Sequence, residues 1–108
     1  MFCFHNRLHG TGDVVLTELV AVMRDRMENP NPHSHTSKLF ASENLRLKKM
    51  VEEAGEVIMA AKDHDKEKLA EEGADVLFHL LAVLLAEGVD QRDVLEVLAK
   101  RRMPPKIG

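Results

Sequence analysis

Between Val76 and Ala86 the chain reads Val-Leu-Phe-His-Leu-Leu-Ala-Val-Leu-Leu-Ala, apolar at every position but His79. The run is too short to cross a bilayer. Wound into a helix it is apolar on nearly every side, and such a helix must be covered on every side. Aromatic residues are only 4% of the 108, with no Trp and no Tyr, so the cover has to come from aliphatic side chains. That favours packed helices over a sheet, which prefers aromatic and β-branched residues.

Three further helices are legible around this run. Asp13 is a good N-cap for a first helix, in which Val14, Val15, Leu16, Leu19, Val20, Val22, Met23 and Met27 recur at helical spacing. Asn29-Pro-Asn-Pro32 stops it near Glu28. Residues 29–37 read as a polar loop, with Lys38-Leu39-Phe40 as a short helical turn that tucks its apolar pair inward. Ser42 can cap a helix running to about Lys62, with Leu47, Met50, Val51, Ala54, Val57, Ile58 and Ala61 along one stripe. Asp63-His64-Asp65 is a turn, Asp65 caps the helix that carries the apolar run, and Gly88 ends it. Asp90 caps a last helix containing Val94, Leu95, Val97 and Leu98, which Pro104-Pro105 ends. The reading is therefore a flexible tail or linker over 1–12, one helical domain over 13–103 and a C-terminal tail over 104–108. The fold class is all-α: an antiparallel helical bundle with four main helices per chain. Two of the other three helices are short, so a second copy is needed to finish covering the apolar run, and a homodimer is expected.

The formal net charge of −3 argues against a nucleic-acid partner, since phosphate backbones select basic faces. A small phosphorylated ligand needs only a metal or a few local cations. Cys3 is the sole cysteine, so no internal disulfide forms. The N-terminus lacks the long apolar core of a signal peptide. A soluble, cytoplasmic protein with no membrane partner is expected.

The turn at His64 also places charge. Glu56 and Glu72 lie eight residues on either side of it, and Glu53 and Asp75 eleven. In an antiparallel hairpin Glu56 and Glu72 then sit at one height, roughly 12 Å from the turn, with Glu53 and Asp75 one turn further. Spacing of i, i+3 puts each pair on one helix face. Solvated faces carry many such pairs, and spacing alone fits that as well. Two details favour convergence: Glu72 and Asp75 run straight into the most apolar segment, and the arrangement is symmetric about the turn. Four converging carboxylates repel one another and need a cation, and hard oxygen donors suit Mg²⁺ or Mn²⁺.

Glu53-Ala-Gly-Glu56 followed by Glu72-Gly-Ala-Asp75 resembles the ExxE…ExxD signature of the MazG-like all-α nucleotide pyrophosphohydrolases. Within that superfamily, His33-Ser-His-Thr-Ser-Lys-Leu-Phe40, Arg46-Leu-Lys-Lys49, Glu52-Glu53-Ala-Gly-Glu56, Ala60-Ala-Lys62 and Glu72-Gly-Ala-Asp-Val-Leu-Phe-His-Leu-Leu81 resemble the phosphoribosyl-ATP pyrophosphohydrolase family. The resemblance spans about residues 14–102. It departs at His35, where the family usually has Tyr, and at Met50-Val51, where it usually has Val-Gly. It implies a Mg²⁺-dependent helical dimer that converts phosphoribosyl-ATP to phosphoribosyl-AMP and pyrophosphate, the second step of histidine biosynthesis. By position it implies Glu53, Glu56, Glu72 and Asp75 as metal ligands. Cys3-Phe4 also looks like the end of a phosphoribosyl-AMP cyclohydrolase domain, which would make Cys3 a stranded zinc ligand. The plain alternative is an inert tail cysteine.

The chemistry expected is attack of a water on the α–β anhydride, with pyrophosphate leaving in line. Glu52 or Glu53 takes the proton, with Glu52 alternatively a further metal ligand by the resemblance. Lys38, Arg46, Lys49 and Lys62 are the candidate substrate cations, with Lys48 a weaker one. The rival for Lys48 and Lys62 is a solvated surface, and for Lys49 an i, i+4 pair with Glu53. His33 and His35 flank Ser34 in the loop, placed to touch phosphate, although loop histidines are usually solvated. His79 is expected to be buried and hydrogen-bonded to Asp75. Two rival functions stand beside this one: a house-cleaning nucleoside triphosphate pyrophosphohydrolase, and a non-catalytic helical dimerisation module.

Overall fold

The computed structural model describes residues 12–102, with side chains from Val14 onward. They form five helices and no strand: α1 (Gly12–Glu28), α2 (His35–Ala41), α3 (Glu43–Lys62), α4 (Lys66–Ala86) and α5 (Gln91–Arg101). The all-α class and the four main helices are as expected. The short turn at Lys38 is longer than expected: it is the complete helix α2, because the Ser34 hydroxyl accepts from the Ser37 N–H and caps a helix starting at His35. The polar loop is correspondingly shorter. At the other end, α1 is described from Gly12 onward, and the expected cap at Asp13 lies outside the described side chains. The expected tail over residues 1–12 and the stop at Pro104-Pro105 fall, apart from Gly12, outside the described residues.

The remaining caps follow the sequence. Ser42 accepts from the Leu45 N–H and opens α3. Asp65 accepts from the Lys68 N–H and opens α4. Asp90 opens α5 in a reciprocal capping box with Asp93. Between α3 and α4 the chain reverses over Asp63-His64-Asp65, with His64 at φ 55°. The Asp65 N–H reaches the Ala60 carbonyl and the His64 N–H that of Ala61, the paired bonds of a Schellman ending. That position usually belongs to glycine, and Gly88 fills the equivalent one after α4 at φ 78°.

The short turn makes α3 and α4 an antiparallel hairpin in contact along its length, and α1 and α2 close over one side of α4. Val20 and Met23 of α1, Leu39 of α2, and Leu81, Ala82 and Leu85 of α4 make the core, with Leu16, Leu19, Phe40, Leu45 and Phe78 around it. The apolar run is thus covered on one side only, and Leu77 and Leu80 remain exposed. The α3 stripe is likewise uncovered within one chain: Leu47 is exposed, Val51 is 74% exposed and Ile58 61%. No described helix is long and apolar enough to cross a membrane.

Candidate metal centre

The hairpin brings three of the four predicted carboxylates together. Glu53 from α3 and Glu72 and Asp75 from α4 each offer one oxygen, and these oxygens lie within 4.8 Å of one another. The register of the turn does this: Glu53 and Asp75 are equidistant from His64, and Glu72 is one turn back from Asp75 on the same face. Glu56, the fourth predicted ligand, is exposed and falls outside this cluster. Its charge still acts on Glu72.

Glu72 is the unusual member. It is 8% exposed, on a helix whose other buried residues are His79, Leu81, Ala82 and Leu85. Burial pushes its carboxyl above the usual glutamate range, and the charges of Asp75, Glu56 and Glu53 push the same way. Lys68, 4.0 Å away on the preceding turn, opposes them. A buried carboxylate beside two others is costly as an anion unless a cation compensates it. Lys68 is a distant and largely exposed partner for that task. Three hard carboxylate oxygens at one point fit a Mg²⁺-sized ion that keeps several waters.

Glu52 is exposed and lies outside this cluster, paired with Lys49 at 3.4 Å and Lys48 at 3.8 Å. Lys49 also reaches Glu53 at 3.8 Å, so it makes the i, i+4 pair that was its rival reading and adds a second carboxylate. Lys38 and Lys62 are exposed and, among the described residues, are not ion-paired with the three carboxylates. Arg46 is spent elsewhere: its guanidinium Nη1 donates to the backbone carbonyls of Leu39 and Phe40, 3.1 Å each. It satisfies the open end of α2, a role that spacing could not reveal because the end of α2 was not recognised.

His79 is buried as expected, at 6% exposure, but it is not hydrogen-bonded to Asp75. Its Nδ1 has no partner among the described residues. Its ring meets Phe78 edge to face at 5.1 Å and His35 at 6.0 Å. Burial holds its pKa below the usual histidine value; Glu53 and Asp75 oppose this, while His35 and Lys49 reinforce it. The approach of His35 to His79 was missed, since His35 was read as part of a solvated loop.

The family described as Phosphoribosyl-ATP pyrophosphohydrolase matches residues 16–102. A phosphoribosyl-ATP pyrophosphatase of Haloarcula marismortui is 47% identical over 95 residues, covering 85% of this chain and 96% of its own length. One from Pyrobaculum arsenaticum is 48% identical over 89 residues, 82% of this chain and 95% of its own. A histidine biosynthesis bifunctional protein HisIE of Prochlorococcus marinus is 47% identical over 87 residues, 80% of this chain but 38% of its own length. The chain thus spans about two fifths of the bifunctional relatives it matches.

Proposed function

Because the chain belongs to the phosphoribosyl-ATP pyrophosphohydrolase family, we propose that it hydrolyses phosphoribosyl-ATP to phosphoribosyl-AMP and pyrophosphate, a step of histidine biosynthesis, with Mg²⁺ as cofactor. The observation that carries the reading is the buried Glu72 carboxylate held within 4.8 Å of carboxylate oxygens of Glu53 and Asp75. A cluster of that kind serves no packing purpose, and it lies where a triphosphate can approach from the exposed Asp75 side.

Glu53, Glu72 and Asp75 would hold the cation, with exposed Glu56 reaching it through water. A bound ion would supply charge neutralisation on the triphosphate and a more acidic water. Glu52 would orient the attacking water and take its proton as the α–β anhydride opens and pyrophosphate leaves. Lys49, held by Glu52 and Glu53, keeps a positive charge at the edge of the site, where negative charge builds on the phosphoryl oxygens. Lys38 and Lys62 are free to meet the outer phosphates. Arg46 is assigned to α2 and not to substrate.

The working unit is proposed to be a homodimer. Leu47, Val51 and Ile58 of α3 and Leu77 of α4 leave an apolar surface open on the hairpin, of the kind that marks a contact between chains. The bifunctional relatives also support a natural fusion, with a phosphoribosyl-AMP cyclohydrolase as the partner domain.

The test is pyrophosphate release from phosphoribosyl-ATP with and without Mg²⁺, for wild type and for Glu72→Gln and Glu56→Ala, with ATP, dUTP and dCTP as competing substrates. The reading expects Mg²⁺-dependent release selective for phosphoribosyl-ATP, abolished in Glu72→Gln and reduced in Glu56→Ala. Faster release from the other triphosphates would assign a house-cleaning activity instead. No release from any of them would leave a dimerisation module.

A further inference from the structure

The hairpin symmetry about His64 continues one tier past the carboxylates. Lys49 and His79 lie fifteen residues on either side of the turn, directly beyond the tier of Glu53 and Asp75. This third tier differs in kind from the first two. Its lysine is already engaged by Glu52 and Glu53. What remains is an imidazole, His79, with a second imidazole, His35, brought to its edge by α2.

Among the described residues, the buried Nδ1 of His79 has no hydrogen-bond partner. Native interiors rarely leave such a group unpaired, because the lost solvation is not recovered until a partner arrives. Neither Asp75, one turn earlier on α4, nor His35 supplies that partner. His35, in contrast, is exposed and stands in the first turn of a seven-residue helix. It stands between His79 and solvent, with its ring edge-on to the buried imidazole. Two aromatic rings with one free ring nitrogen, next to a phosphate-directed metal centre, suit a planar group whose faces are apolar and whose edge is polar.

We propose that His35 and His79 form a nucleoside subsite beside the carboxylate cluster, His35 stacking on the purine and His79 Nδ1 hydrogen-bonding the nucleoside. The proposal rests on the nucleotide pyrophosphohydrolase reading of the site and deepens it by giving the substrate a direction. The nucleoside lies on the side away from the hairpin turn. The pyrophosphate leaves toward Glu56, Lys68 and Lys62.

The experiment uses the full chain and AMP as a non-hydrolysable probe of the nucleoside end, with pyrophosphate as the probe of the other. Binding of each is followed through the histidine side-chain NMR signals of the wild type. Affinities are measured for wild type, His35→Ala, His79→Asn and His79→Leu. Asparagine can keep a polar atom near the Nδ1 position, and leucine cannot. The expected result is that AMP shifts the His35 and His79 signals. His35→Ala and His79→Leu should weaken AMP about tenfold, His79→Asn should stay within threefold of wild type, and pyrophosphate affinity should be unchanged throughout. AMP that leaves the His79 signal unmoved, or a loss in His35→Ala equal for AMP and pyrophosphate, would overturn the subsite and leave His79 as a structural group. His35 is exposed, so its variant keeps the test open even if the His79 variants fold poorly. Because AMP binding needs no turnover, the result separates from the hydrolysis reading. An AMP-responsive His79 in a protein inert to phosphoribosyl-ATP would keep the subsite and reject the reaction. An active enzyme indifferent to both substitutions would do the reverse.

Discussion

Helices α4 and α5 start alike and end in different circumstances. Each opens on an aspartate N-cap, Asp65 or Asp90, and each carries an apolar stripe. Yet α4 buries Glu72, His79, Leu81, Ala82 and Leu85, and α5 buries nothing, leaving Leu95, Val97 and Leu98 open. Local chemistry decides where a helix begins, and its neighbours decide what it can do. Only α4 has neighbours on enough sides to hold a carboxylate and an imidazole out of water. The proposed chemistry is therefore placed there and not on the equally well-capped α5.

The largest effect that sharpens this contrast is catalytic. Glu72→Gln removes a proposed ligand from α4 and should lower Mg²⁺-dependent pyrophosphate release on the order of a thousandfold, the several kcal/mol that a metal contributes to such a transition state. Leu95→Ala in α5, assayed in parallel, should leave turnover within about twofold. Stability comes next. Leu39→Ala, which empties a fully buried site against α4, should cost about 2–5 kcal/mol in urea denaturation. Leu98→Ala in α5 should cost under about 1 kcal/mol. An equal loss in the two variants would mean that α5 is covered by a second copy, and sedimentation of the same samples would detect it.

Smaller effects separate the two ends of α4. His64→Gly relieves the left-handed backbone at the turn before α4 and should stabilise the protein by up to about 1 kcal/mol. The Glu72 carboxyl, raised in the folded state, has a pH signature. Below the ordinary glutamate range both folded and unfolded chains hold its proton. As pH rises, the unfolded chain releases it first, so metal-free wild type should lose stability relative to Glu72→Gln until the folded pKa is passed. Above that pH the difference should stay constant. Melting of both proteins across the acid range, without metal, checks the sign.

Much of this was legible in the sequence because it depends on local chemistry. Ser42, Asp65, Asp90 and Gly88 punctuate the helices by hydrogen bonds within a few residues, and such bonds are set by residue type. The meeting of Glu53, Glu72 and Asp75 was legible too, since a three-residue turn fixes the register of the hairpin. What escaped depends on α2. The cap at Ser34 was hidden in a run of prolines, histidines and serines that reads as loop. Without α2 as a helix, nothing pointed Arg46 at the carbonyls of Leu39 and Phe40, or His35 at His79. The α3 stripe was legible as apolar, but periodicity cannot tell whether its cover comes from the same chain, and Val51 and Ile58 stay open in this one.

The central claim is that Glu53, Glu72 and Asp75 are a divalent-cation site built around a buried carboxylate. Thermal melting of wild type and Glu72→Gln over a Mg²⁺ titration tests it without reference to turnover. Metal-free Glu72→Gln should melt above metal-free wild type. Mg²⁺ should then raise the wild type, by about 2.7 kcal/mol at a hundredfold excess over Kd, and leave the variant where it started. Equal stabilisation of the two proteins, or none in the wild type, would contradict the assignment.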